Sequence, residues 1–236
     1  MIYKSFEGNT IDLHGGGIDL SFPHHENEIA QSESAYEKPL CNHWFHCAHL
    51  KVENEKMSKS LRNLYTLDEI LDKGYSATAL RYTLISSSYR QPLNFTFEGL
   101  RASVSALKKI ENFIESLLLK INKDKEQFNE QYVRIHGLKD FGLLKNACES
   151  LCNNLNTSAC LGSLFGLIGS NPASKLNAKE TEQLLQALGS ILYALGLTLF
   201  TSPKQTSVAP QAILDLAKER WLSLIHISEP TRPFHI

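Results

Sequence analysis

"TIDLHGGGIDLSFPHHENEIAQSESAY", residues 10–36, decides the fold. "TIDLHGGG" reads as a β-strand meeting a glycine-rich turn. "HHENEIAQSESAY" reads as a helix, with Pro23 in its first turn, where a missing N–H costs little. Downstream, "HWFHCAHLKV" (43–52) mixes bulky apolar with other residues and predicts a second strand. "KMSKSLRN" (56–63) follows as a polar loop. Strand, helix, strand and loop in this order suit the tail of an α/β nucleotide-binding domain.

Beyond residue 66 the period changes. "TLDEILDKG" carries Thr66 as N-cap, Glu69 three residues on and Gly74 as a stop. "SATALRYTLISSS" (76–88) predicts another helix. In 97–121, Leu100, Val104, Leu107, Ile110, Ile114, Leu117 and Leu118 recur at three- and four-residue steps, which predicts a long amphipathic helix. "NKDKEQFNEQ" (122–131) reads as a charged surface connection, and further helices fit 138–153, 157–169 and 178–199. "TSPKQTSVAP" (201–210) has linker composition. The fold class is α/β followed by all-α.

Composition sets bounds on function. Of the 236 residues, 42% are apolar and 21% charged, with net charge −1, which argues against a wholesale electrostatic nucleic-acid binder but leaves room for a local basic track. No apolar run is long enough for a transmembrane helix, and the start has no signal-peptide core. Cys41, Cys47, Cys148, Cys152 and Cys160 are an odd number without disulfide-framework spacing, so reduced thiols and a cytoplasmic protein are expected.

Several side chains carry chemistry. His24 and Glu28 are four apart on one helix face; alone the pair reads first as a solvated face and second as half of a zinc site. No cysteine precedes position 41, so further ligands must come from Cys41, Cys47 or outside this chain. "HGGG", with Gly15 and Gly16, lets backbone approach a ligand, and Asp19 offers a carboxylate to a ribose hydroxyl. Lys56 and Lys59 flank small hydroxyl residues, suited to neutralising triphosphate charge, although an exposed basic loop looks the same. His43, His46 and His49 on a strand would point to different faces, with His46 expected to face a substrate. Cys148 and Cys152 are expected to be small buried apolar residues.

"DLHGGGIDLSFPHHENEIAQSE", "HWFHCAHL" and "EKMSKSLRN" together resemble the bacterial cysteinyl-tRNA synthetases, class I enzymes with a Rossmann catalytic core. The resemblance continues through "LRYTLISSSYRQPLNFT" and "LCNNLNTSACLGSLFGLI", to about residue 221. It implies activation of cysteine by Mg-ATP and transfer to tRNA(Cys) by a cytoplasmic enzyme, expected to be a monomer. It implies a Zn2+ ion held by two cysteines, His24 and Glu28, which selects the thiol. His14, Gly15, Gly16, Asp19 and His46 would line the cysteine and adenylate pocket, and Lys56 and Lys59 would serve ATP. The implied domains are the C-terminal part of the catalytic domain with its "KMSKS" loop (1–65), stem-contact helices (66–98), a helical tRNA-binding domain (99–200), and a linker with the start of a further region (201–221). Arg62 departs from the glycine usual after "KMSKSL".

The family supplies an "H-I-G-H"-type motif and both zinc cysteines before "HGGG". A shortened reading frame, inactive alone, is therefore the expectation. "LSLIHISEPTR" (222–232) resembles a translated sequencing adapter, so 222–236 is set aside. Two other readings stand beside this one: a relative that joins cysteine to an amino-sugar inositol, and a non-catalytic helical tRNA-binding module.

Overall fold

In the computed structural model the described residues are 5–7, 10–57, 63–170 and 172–200. Lys59, Arg62, the 201–221 segment and the adapter-like tail lie outside them. The first strand, β1 (Ile11–Gly17), is followed by a 3-10 turn (Ile18–Leu20), a π-type turn (Ser21–His25) and helix α1 (Glu26–Tyr36). Strand β2 (Cys41–Cys47) returns parallel to β1, pairing His14 with Trp44 and Gly16 with His46.

The glycines expected to form a turn are instead part of β1. The structure uses their missing side chains rather than their backbone freedom. A Cβ at Gly15 would lie 2.8 Å from the Phe45 carbonyl oxygen, and one at Gly16 would lie 3.1 Å from His25 Cε1. The strand can therefore lie tight against both neighbours only with glycine at these positions.

β3 (Leu50–Val52) and β4 (Glu55–Lys56) form an antiparallel hairpin. Its two-residue loop has both residues left-handed, Glu53 at φ 49° and Asn54 at φ 67°, the turn whose twist matches the strands. Asn94 Oδ1 accepts from the Asn54 N–H at 2.7 Å, beside β5 (Leu93–Phe95), which adds to β3 in parallel. β5 carries no sequence signal, because three residues between turns leave no alternation.

Helix α2 (Leu67–Asp72) has the expected capping box: Thr66 Oγ1 accepts from the Glu69 N–H, and the Glu69 carboxylate accepts from the Thr66 N–H. Gly74, at φ 85°, follows the helix end. Ser76 caps α3 (Ala77–Ile85). The long helix α4 (Phe97–Lys120) buries Leu100, Ser103, Leu107, Ile110, Phe113, Ile114, Leu117 and Leu118. Val104, expected in that stripe, is 44% exposed. Ser103 takes the inward position because Thr83 Oγ1 donates to its hydroxyl at 2.8 Å while Ser103 donates to the Gly99 carbonyl, satisfying both buried groups.

The stretch read as a charged connection holds a one-turn helix, α5 (Phe128–Tyr132), whose two aromatic residues are buried. Then follow α6 (Lys145–Cys152), α7 (Thr157–Ser170) and α8 (Ala178–Leu195), the last capped by Asn177 with Glu180 and ended by Gly196 at φ 64°. α6 is shorter than expected, because Gly142–Leu144 forms a separate 3-10 turn. Cys148 is half-buried and Cys152 exposed, so only Cys160, on α7, is a buried thiol in this region.

Two apolar clusters result. The larger joins Val52 and Phe95 of the β4–β3–β5 sheet to Leu100, Phe128, Leu164 and Leu188 of the helices. The smaller holds Ile11, Leu40 and Cys41 under Trp44. Arg81 Nε donates to the Leu195 carbonyl at 2.6 Å and Thr78 Oγ1 to the Thr198 carbonyl at 3.1 Å, so α3 is stitched to the end of α8. Among the described residues, no helix is long and apolar enough to cross a membrane.

Candidate functional site

Strand alternation puts His14 and Gly16 of β1 on the same face as Trp44 and His46 of β2, and the parallel register sets them side by side. The π-type turn and first turn of α1 lie over this face and carry His24, His25 and Glu28. His14 Nε2 is 3.0 Å from Glu28 Oε2, and His24 Nε2 is 3.6 Å from the other carboxylate oxygen. His25 Nδ1 is 2.8 Å from His46 Nε2. Trp44 completes the wall, its ring 4.9 Å from those of both His14 and His25 and parallel to that of His46.

His25 is 3% exposed. Burial pushes its pKa below the ordinary imidazole value; His14 adds to the effect and Glu28 opposes it. It is therefore neutral at pH 7, and its bond to His46 has one ring donating and the other accepting. Imidazoles beside a carboxylate offer both donors and acceptors to a small zwitterion. Donor atoms of His14, His25 and Glu28 lie within 4.8 Å of one another, the one such group among the described residues. Two imidazoles and a carboxylate are a borderline-soft donor set suited to zinc.

The other expected residues sit apart from this wall. Asp19 is on the 3-10 turn after β1, mostly exposed, with Oδ1 4.0 Å from His49 Nδ1. Gly15 faces the opposite side of β1 from His14. Lys56 is exposed on β4 of the other sheet, its carbonyl accepting from Asn63 Nδ2. Cys41 is buried, with its pKa raised by that burial, and no cysteine joins the histidine group among the described residues.

The sequence reading missed His25 and Trp44 as members of this wall. For His25 a signal existed: it stands three residues before Glu28, a helical neighbour as good as the four-residue spacing of His24. Trp44 could have been found by stepping two residues back along the strand from His46.

Residues 1–105 match the family model of the class I (C) tRNA synthetase catalytic domain. The fold agrees: the LeuRS–tRNA–LeuAMS ternary complex from Agrobacterium radiobacter superposes with a TM-score of 0.54 at 15% identity, over 80% of this chain and 25% of that one. A Campylobacter jejuni structure described as an arginyl-tRNA synthetase gives 0.50 at 14% identity, over 83% of this chain and 48% of the other. The match over residues 1–105 is thus to a class I aminoacyl-tRNA synthetase catalytic domain, and the fold resembles that of solved synthetases.

Within that class it matches the cysteine–tRNA ligases. The Chlamydia felis enzyme is 39% identical over 219 residues, covering 90% of this chain and 44% of that protein. The Brachyspira hyodysenteriae enzyme is 45% identical over 161 residues, covering 68% and 33%. The chain thus spans less than half the length of these relatives.

Proposed function

We propose that this chain supplies the thiol-selecting wall and the RNA-facing helices of a cysteine–tRNA ligase. Such an enzyme joins cysteine to ATP, giving cysteinyl-adenylate and pyrophosphate, and then passes the cysteinyl group to the terminal adenosine of tRNA(Cys). The observation that carries this reading is the wall of His14, Trp44 and His46 facing His24, His25 and Glu28, in a chain whose relatives are cysteine–tRNA ligases.

In this reading His24 and Glu28 hold a zinc ion together with thiolates from outside this chain. The donors present suit the metal: His24 Nε2 lies 3.6 Å from the Glu28 carboxylate, an imidazole and a carboxylate within reach of one ion. When bound, zinc supplies a Lewis acid that favours a thiolate ligand over a hydroxyl, which rejects serine without editing. His14 orients the Glu28 carboxylate through their hydrogen bond, as outer partners of metal ligands do. Neutral His25, held by His46, keeps positive charge away from the substrate ammonium. Gly15, Gly16 and Asp19 serve the adenosine, and Lys56 with Lys59 neutralises the phosphates of Mg-ATP. Residues 1–65 would act as catalytic domain, 66–98 as stem-contact region and 99–200 as tRNA-binding helices of a cytoplasmic monomer.

The test is a chimaera in which residues 1–221 replace the matching stretch of the Chlamydia felis enzyme. The expected outcome is cysteine-dependent ATP–pyrophosphate exchange, with serine at least a thousandfold poorer. A folded chimaera with no cysteine dependence overturns the reading.

A further inference from the structure

Between the segment that follows α3 and the loop joining α6 to α7 lies a cavity of about 480 Å³. Serines 86–88 and Gln91 line one side; Asn153, Asn154, Asn156 and Ser158 line the other. Not one of these side chains is charged or apolar. This cavity lies outside the histidine wall and shares no residue with it.

The loop is built to present amides. Asn154 at φ 58° and Leu155 at φ 53° are consecutive non-glycine residues in the left-handed region, a conformation that costs energy and needs support from its surroundings. Support comes from both flanks. The Asn156 side-chain oxygen Oδ1 accepts from the Ala159 N–H at 3.1 Å and from Ser158 Oγ at 3.0 Å, and Thr157 Oγ1 donates to the Ser87 carbonyl. The Asn154 amide satisfies both its neighbours when its nitrogen donates to Tyr89 Oη at 2.7 Å and its oxygen accepts from the Arg90 guanidinium at 2.7 Å. Arg90 in turn lies over the Tyr89 ring, which stacks on Phe45 of β2. The guanidinium is therefore held against Asn154, which lines the cavity.

Against this rigid frame, the side chains of Ser87, Gln91 and Asn153 make no hydrogen bond within the described protein. Hydroxyls and amides both donate and accept. A wall of such groups without charge fits a neutral hydroxylated ligand, and the adjoining cation fits an anion attached to it. A ribose with its 2′-hydroxyl, followed by a phosphate, has this pattern. We propose that the cavity docks one ribose–phosphate step of an RNA backbone, with Ser87, Gln91 and Asn153 on the sugar and Arg90 on the phosphate. This rests on the reading of the chain as a tRNA-binding enzyme and names one place of contact.

The experiment measures binding of a labelled tRNA(Cys) transcript to the full chain by fluorescence anisotropy, across a salt series. Gln91→Glu, which disturbs no internal hydrogen bond, is expected to weaken binding tenfold or more. Gln91→Lys is expected to tighten it, whereas a merely structural role would not give opposite signs. Arg90→Gln is expected to lower the salt slope by about one. Circular dichroism of each variant verifies folding. Wild-type binding with both Gln91 variants unchanged overturns the cavity proposal and leaves the tRNA reading standing. No binding by the wild-type chain overturns both.

Discussion

Tyr132→Phe removes one oxygen atom from the support of the helical region. The ring is 2% exposed and stacks on Phe128, so its packing survives the substitution. The hydroxyl donates to Glu182 Oε2 at 2.8 Å and accepts from Lys123 Nζ at 2.6 Å, while Lys123 and Glu182 pair directly at 3.0 Å. These contacts join the end of α4, α5 and α8. Hydrogen bonds to charged groups contribute roughly 1.5–3 kcal/mol each. Both charged partners are partly exposed, keep each other and can take up water, which discounts that sum; the expected loss is about 1–2 kcal/mol. For a chain of this size that lowers Tm by roughly 2–8 °C. Burial raises the pKa of Tyr132, and the hydrogen bond with Tyr132 raises that of Lys123. Groups whose folded pKa is raised stabilise the fold below their unfolded values and lose that contribution as pH climbs through the folded ones. The gap between wild type and Tyr132→Phe is therefore expected to narrow above about pH 10. Urea unfolding followed by far-UV circular dichroism at neutral and alkaline pH measures it. A gap under about 0.5 kcal/mol at pH 7, no larger than an ordinary surface change, refutes the reasoning, as does a gap that widens with pH.

Gly189→Ala should destabilise the chain: a helix interior gains about 1 kcal/mol from alanine, but the new Cβ overlaps the Tyr132 carbonyl oxygen, and moving that backbone costs roughly 1–3 kcal/mol. A raised Tm would contradict that balance. In thiol labelling at pH 8, exposed Cys152 should react early, while fully buried Cys160, pushed up to about 11 by burial, should react only on unfolding. Rapid Cys160 labelling in the native chain would show the packing to be wrong. In the chimaera, Glu28→Gln should weaken zinc binding at least tenfold, about 1.4 kcal/mol, in chelator competition. Unchanged zinc affinity would remove Glu28 from the metal.

What the sequence revealed and what it hid divide along physical lines. The capping box at Thr66 and Glu69 and the long stripe from Leu100 to Leu118 were legible because both rest on spacing within one helix. The inward turn of Ser103 was not, since its reason is Thr83 on a different helix. α5 was hidden because Phe128 and Tyr132 stand among charged residues, and their burial comes from distant contacts with α8 and Phe200. At the histidine wall, the four-residue spacing of His24 and Glu28 is legible in the sequence, whereas His14 is marked only by the family resemblance. The bond between His25 and His46 depends on strand pairing and a π-type turn, which no local pattern encodes. "HGGG" was mistaken for a turn because glycine in a strand has the same composition as glycine in a loop; only the close approach of Phe45 and His25 tells them apart.

The most direct measurement is aminoacylation by the chimaera: incubation with ATP, tRNA(Cys) transcript and radiolabelled cysteine or serine, followed by recovery of the tRNA. The account requires cysteine to be attached to the tRNA's terminal adenosine and serine to stay at background. Serine attached as readily as cysteine, or adenylate formed without any transfer to tRNA, would contradict it.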